Sequence, residues 1–111
     1  MKMLLLSSLI FWASFHAEAY EMKEGLMGYM TRPDGIEIQV QSGGCTRKED
    51  FKITTEDFQA FKELTLYRTR PDECLAFVPW GTVLFFSHQE LGLKSGENFH
   101  FANTIRISNV W

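Results

Sequence analysis

Arg32-Pro33-Asp34-Gly35-Ile36-Glu37-Ile38-Gln39-Val40-Gln41 is the stretch on which the fold reading turns. Pro presets φ and Gly accepts a positive φ, so Pro33-Asp34-Gly35 between two extended runs reads as a turn. Beyond it Ile36, Ile38 and Val40 point one way and Glu37, Gln39 and Gln41 the other. That period of two belongs to a strand with one dry and one wet face. With Leu26 to Thr31 upstream, the two runs make a hairpin.

Outward from this hairpin the pattern repeats. Ser42-Gly43-Gly44 breaks the strand just before Cys45, and a charged segment, Thr46 to Asp50, leads into Phe51 to Ile53. Thr54-Thr55-Glu56-Asp57 has the form of a helix start with Thr54 as N-cap, which puts Phe58 and Phe61 on one face of a short helix; a wide hairpin connection is the alternative. Leu64 to Thr69 alternates again and runs through Arg70-Pro71-Asp72-Glu73 to Cys74. Leu75 to Val78 and Thr82 to Ser87 read as two strands around a tight turn at Pro79-Trp80-Gly81. Ser87-His88-Gln89-Glu90 fits a capping box and Gly92 a helix end. Phe99 to Ser108 carries the last strand or strand pair. The expected fold is all-β, or mainly β with one or two short helical turns: a small antiparallel sandwich or barrel of seven or eight strands with one disulfide.

The N-terminus bears a different signal. Lys2 is a positive n-region, Leu4 to Trp12 an apolar run, and Ala17-Glu18-Ala19 a cleavage site with small residues at its two recognition places. The run is far short of the roughly 20 residues that span a bilayer. Residues 1–19 are therefore expected to be a signal peptide cleaved after Ala19, with no stable membrane anchor afterwards. Residues 20–111 then form a single small β-rich domain in the periplasm or extracellular space. In such a compartment the two cysteines of the chain, Cys45 and Cys74, are expected to pair. The bridge should stabilise the fold by roughly 3 to 4 kcal/mol in the chain-entropy model.

The chain has a net charge of −3, unchanged by cleavage because Lys2 and Glu18 leave together. No basic block exceeds Arg47-Lys48, which argues against a nucleic-acid partner. Catalytic motifs are missing: there is no G-x-S-x-G, HExxH or HxH, and both cysteines are committed to the bridge. No cofactor or metal is called for. Cys45-Thr46-Arg47 matches three residues of the Bowman-Birk inhibitor reactive loop but lacks the following serine, the prolines and the closing cysteine, so the likeness carries no weight.

The candidate binding residues are the charged loops flanking the bridge: Arg47 and Lys48 on one side, Arg68, Arg70 and Asp72 on the other. The aromatic side chains Phe77, Trp80, Phe85, Phe86, Phe99 and Phe101 are expected to be core, with a ligand groove at Trp80 and Tyr67 as the alternative. The leading expectation is a non-enzymatic binding protein, an inhibitor or accessory subunit, that meets a protein partner at the disulfide edge. Two rivals are kept. One is a small hydrolase or metal-dependent enzyme acting on an envelope polymer through His88 or His100. The other is a small-ligand carrier with a void lined by Trp80, Phe85 and Phe99.

Overall fold

A computed structural model describes residues 20–106. The signal-peptide reading of residues 1–19 and the end of the last strand at Ile107 and Ser108 lie outside the described residues.

The hairpin forms as its sequence requires. Strands β2 (Leu26–Arg32) and β3 (Gly35–Ser42) pair antiparallel, with Arg32 opposite Gly35. Ile36, Ile38 and Val40 of β3 are fully buried. The other strands are β1 (Met22–Lys23), β4 (Phe51–Asp57), β5 (Lys62–Arg68), β6 (Val78–Ser87) and β7 (Phe99–Phe101). A 3-10 turn covers Lys48–Asp50, and the single-turn helix α1 covers His88–Leu91. One sheet has the order β2-β3-β6; in the other β5 is central, with β4 on one edge and β1 and β7 sharing the opposite edge. Leu26, Ile36, Ile38 and Val40 from the first sheet meet Leu64 and Leu66 from the second in one core, closed by Leu91 of α1. Each such side chain contributes roughly 1.5 to 3 kcal/mol of burial free energy.

Four expectations are corrected. Thr54 starts no helix: it lies inside β4 opposite Thr65, and β4 and β5 are joined by a hairpin closed by Phe58 N–H on Phe61 O at 2.9 Å. The β-branched run Ile53-Thr54-Thr55 favours the strand, and the Phe58 and Phe61 rings stack 5.0 Å apart in the connection. Pro79-Trp80-Gly81 does not divide two strands but is a bulge in one, where the β3–β6 register slips between Val40 and Ser42. Gly81 sits at φ +68°, and a Cβ there would lie 2.0 Å from Val40 O, so only glycine fits the bulge. Leu75–Phe77 is no strand; it lies outside both sheets. Finally, the sandwich is not wholly antiparallel, since β7 runs parallel to β5. The helical prediction at Ser87 holds: its hydroxyl accepts from Glu90 N–H, Glu90 returns a bond to Ser87 N–H, and Gly92 ends the turn.

A buried asparagine completes the second sheet. Between β1 and β7 the Leu66 C=O on the edge of β5 accepts from Glu24 N–H while, among the described residues, the Leu66 N–H has no backbone partner, and the Asn103 side-chain amide completes the edge. Its Oδ1 accepts from Leu66 N–H at 2.9 Å, while its Nδ2 donates to Leu66 O at 2.8 Å and Glu24 O at 2.7 Å. The side chain thus does the work of a strand residue. Replacing it by an isosteric apolar group orphans buried backbone groups at about 1 to 3 kcal/mol each. Asn103→Leu is therefore expected to lower stability by about 2 to 4 kcal/mol, read as a lower urea midpoint at unchanged slope; an unaltered midpoint would contradict this role.

Candidate functional site

The disulfide forms, joining Cys45 and Cys74 with Cα atoms 5.8 Å apart. It lies where three segments meet: Ser42 to Thr46 at the end of β3, the end of β5, and the loop Thr69 to Phe77. The side chain that organises this junction is Asp72. Its Oδ2 accepts from Gly43 N–H (2.7 Å), Cys45 N–H (3.1 Å), the Thr46 hydroxyl (2.6 Å) and the Ser42 hydroxyl (3.3 Å), and its Oδ1 accepts from Cys74 N–H (2.9 Å). The Thr46 hydroxyl first, and then the backbone N–H groups of Cys74, Gly43 and Cys45, hold the Asp72 carboxyl well below the usual carboxylate range.

Thr46 links Asp72 to a buried ion pair. Its hydroxyl accepts from Arg68 Nη1 at 3.0 Å while donating to Asp72. Arg68 in turn grips Glu24 with two bonds, Nε to Oε1 at 3.0 Å and Nη2 to Oε2 at 2.7 Å, and gives another to Gln41 O. Burial works against the Arg68 charge, but the hydrogen bonds and charge of Glu24 outweigh it and raise its pKa. The Phe51 ring lies 4.8 Å from the guanidinium. Of the expected binding residues, Arg68 is thus buried and Asp72 half-buried, and both fasten this edge by hydrogen bonds.

The other expected residues divide. Lys48 is tied to Glu90 at 2.7 Å and lies 5.0 Å from the Phe86 ring, on the α1 side of the molecule. Arg47 and Arg70 stay exposed by the bridge, flanking a pocket of about 280 Å³ with Asp50, Glu73 and the two cysteines. Asp50 is buried there: its Oδ2 accepts from Arg47 N–H, whereas its Oδ1 has no hydrogen bond, with Arg70 Nη1 3.8 Å away. The charged edge is therefore smaller than expected.

What the sequence reading missed is an apolar one. Leu75 is 98% exposed, Phe77 79% and Trp80 67%, so Phe77 and Trp80 are not core; Phe85 too lies on the outer face of β6. The segment carrying Leu75 and Phe77 is nonetheless held close to the body. Ala76 N–H donates to Gly43 O at 2.9 Å, and a Cβ on Gly43 would lie 2.4 Å from Cys74 O. The glycine pair after β3 exists for this close approach. Beside Phe77 opens a groove of about 490 Å³, lined also by Tyr20, Met22, Met27 and Pro79, with Glu24 and Arg68 in its wall.

The rival sites are less developed. His100 Nε2 is 3.0 Å from Glu63 Oε2, and His88 lines a depression of about 440 Å³ with Arg32, Lys94 and Glu97. Among the described residues no hydrogen bond links either imidazole to a hydroxyl or thiol. Trp80 and Phe85 are exposed on β6 while Phe99 packs on Tyr29 and Phe101, so these three do not surround a void. Cys45, Cys74 and Asp72 have donor atoms within 4.8 Å of one another, but the sulfurs are bonded together and the carboxylate is saturated. No helix among the described residues is long and apolar enough to cross a membrane.

Two outcomes follow from the network. Removing one partner of a buried pair costs about 3 to 5 kcal/mol, so Arg68→Met is expected to destabilise by that amount, and Glu24→Gln added to it to restore part of the loss; a double variant no better than Arg68→Met would contradict the pairing. For Asp72, the unfolded chain takes up the proton more readily than the fold. Its contribution is therefore complete above the ordinary Asp value near ~3.9 and fades as pH falls below it. Asp72→Asn should lower stability at neutral pH, with the gap to the parent narrowing in acid; a gap constant from about pH 6 to 2 would contradict it. Comparison with protein-family models, characterised proteins and solved structures returns no match.

Proposed function

We propose that the chain is an exported, non-enzymatic binding protein of the periplasm or extracellular space, released by cleavage after Ala19, which engages a protein partner at the disulfide edge. The observation that carries this reading is the pairing of exposed apolar side chains with a fastened backbone. Leu75, Phe77 and Trp80 stand in water on a segment tied by the bridge, by Asp72 and by Ala76 N–H. Isolated exposed apolar residues are ordinary on a protein surface, but a cluster on one ordered segment marks a contact region. A segment already ordered before binding loses little conformational entropy on docking. Arg47, Arg70 and Glu73 then form the polar rim of the contact, and the aromatic side chains its centre.

Within this class an inhibitor or an accessory subunit fits better than a carrier, since the apolar groups protrude. The test is capture of a partner from the native host's envelope and culture fluid by the oxidised protein, its reduced and alkylated form serving as control. Phe77→Ser with Trp80→Ser should abolish capture without moving the thermal midpoint, and Arg47→Glu with Arg70→Glu should weaken it by less. Capture that survives the apolar pair and is lost on charge reversal would move the contact to the charged pocket. Capture indifferent to both would remove it from this edge.

A further inference from the structure

An endopeptidase cleft binds its ligand as an extended strand, pairs with its main chain, and takes one side chain into a specificity pocket. A tight-binding protein inhibitor has to present that shape ready-made. Leu75 has the exposure, the flanking anchors and the unused backbone groups that this requires. Among the described residues it is the most exposed of the large apolar ones, at 98%. Its neighbours on both sides are anchored, Cys74 through the bridge and through its N–H to Asp72, and Ala76 through its N–H to Gly43 O. Among the described residues no hydrogen bond uses the Leu75 N–H or C=O, which leaves both for a partner's main chain.

Resting on the binding reading above, we infer that the Cys74-Leu75-Ala76-Phe77 segment is an inhibitory loop for an endopeptidase that works through an acyl-enzyme and has an apolar specificity pocket, with Leu75 as the residue that enters it. The charge pattern selects that pocket. From Cys74 to Ser87 the chain carries no charged residue, so a cleft built to receive Lys or Arg finds no partner for its buried carboxylate, while an apolar one is matched.

The same anchors explain why the loop would resist cleavage. Acylation joins the peptidase's nucleophilic oxygen to the Leu75 carbonyl carbon, breaks the Leu75–Ala76 bond, and transfers the nucleophile's proton to the Ala76 nitrogen. In an ordinary substrate the new amine diffuses away before water attacks. Here the Ala76 nitrogen is hydrogen-bonded to Gly43 O, and Cys74 is fixed by the bridge. The amine therefore stays beside the ester and re-forms the peptide bond, returning the proton, faster than hydrolysis completes.

The full chain, expressed with export and purified oxidised, is titrated against chymotrypsin, elastase and trypsin. Chymotrypsin or elastase should be inhibited stoichiometrically, with trypsin unaffected. Leu75→Gly should weaken inhibition at least about 30-fold, the scale of an interface hot spot, with the thermal midpoint unchanged. Leu75→Lys should transfer inhibition to trypsin, a gain that misfolding cannot mimic. Absence of inhibition of both chymotrypsin and elastase, rapid turnover at Leu75–Ala76, or full potency of Leu75→Gly would overturn the proposal. A captured partner that lacks peptidase activity and ignores Leu75→Gly also overturns it while leaving the binding reading intact. Loss of capture and of inhibition together removes both.

Discussion

Everything at the disulfide edge depends on how buried charge is compensated between Glu24 and Asp72. Glu24 is buried at the edge of β5, where its N–H donates to Leu66 O, and would be costly there without a counter-charge; Arg68 supplies it through two hydrogen bonds. The guanidinium has donors left over, and one of them orients the Thr46 hydroxyl so that its proton points at Asp72. Asp72 then collects backbone N–H groups from both sides of the bridge. The chain runs from β1 through β5 to the disulfide loop, and it ties the loop to the core without burying apolar side chains from it.

A loop held by packing hides its apolar groups, whereas a loop held by polar bonds and a covalent bridge leaves them free. Leu75 and Phe77 are free in this sense, and the Gly43-Gly44 pair lets their backbone lie close to β3. Order without burial is the property a recognition segment needs, because the entropy of fixing it is spent in folding rather than in docking. The uncharged surface continues along β6 through Trp80, Val83 and Phe85, all exposed.

The legible parts of the fold were those written in local pattern. The β2–β3 hairpin, the alternation of β3, the Ser87 capping box and the single possible cysteine pairing could all be read from neighbouring residues. Long-range substitutions could not. Asn103 acts as a strand residue only because β1 and β7 leave a gap on β5, and Arg68 turns inward only because Glu24, 44 residues away, is waiting there. Hydrophobicity misled at Phe77 and Trp80: an apolar run after a cysteine reads as core when its anchors, Asp72 and Gly43, are invisible. Gly43-Gly44 was the available clue, since paired glycines beside a cysteine signal a close backbone approach, though not which segment approaches. Thr54 misled because a threonine with an acid three residues on caps a helix and also fits a strand edge.

Backbone ¹⁵N relaxation of the oxidised protein measures whether the exposed segment is rigid. Order parameters at Leu75, Ala76 and Phe77 are expected at about 0.85, the value of rigid backbone, equal to those of β3 and β5 although the segment belongs to neither sheet. Values below about 0.6 at these three amides, with β3 and β5 rigid in the same spectra, would show a loose loop and contradict that expectation.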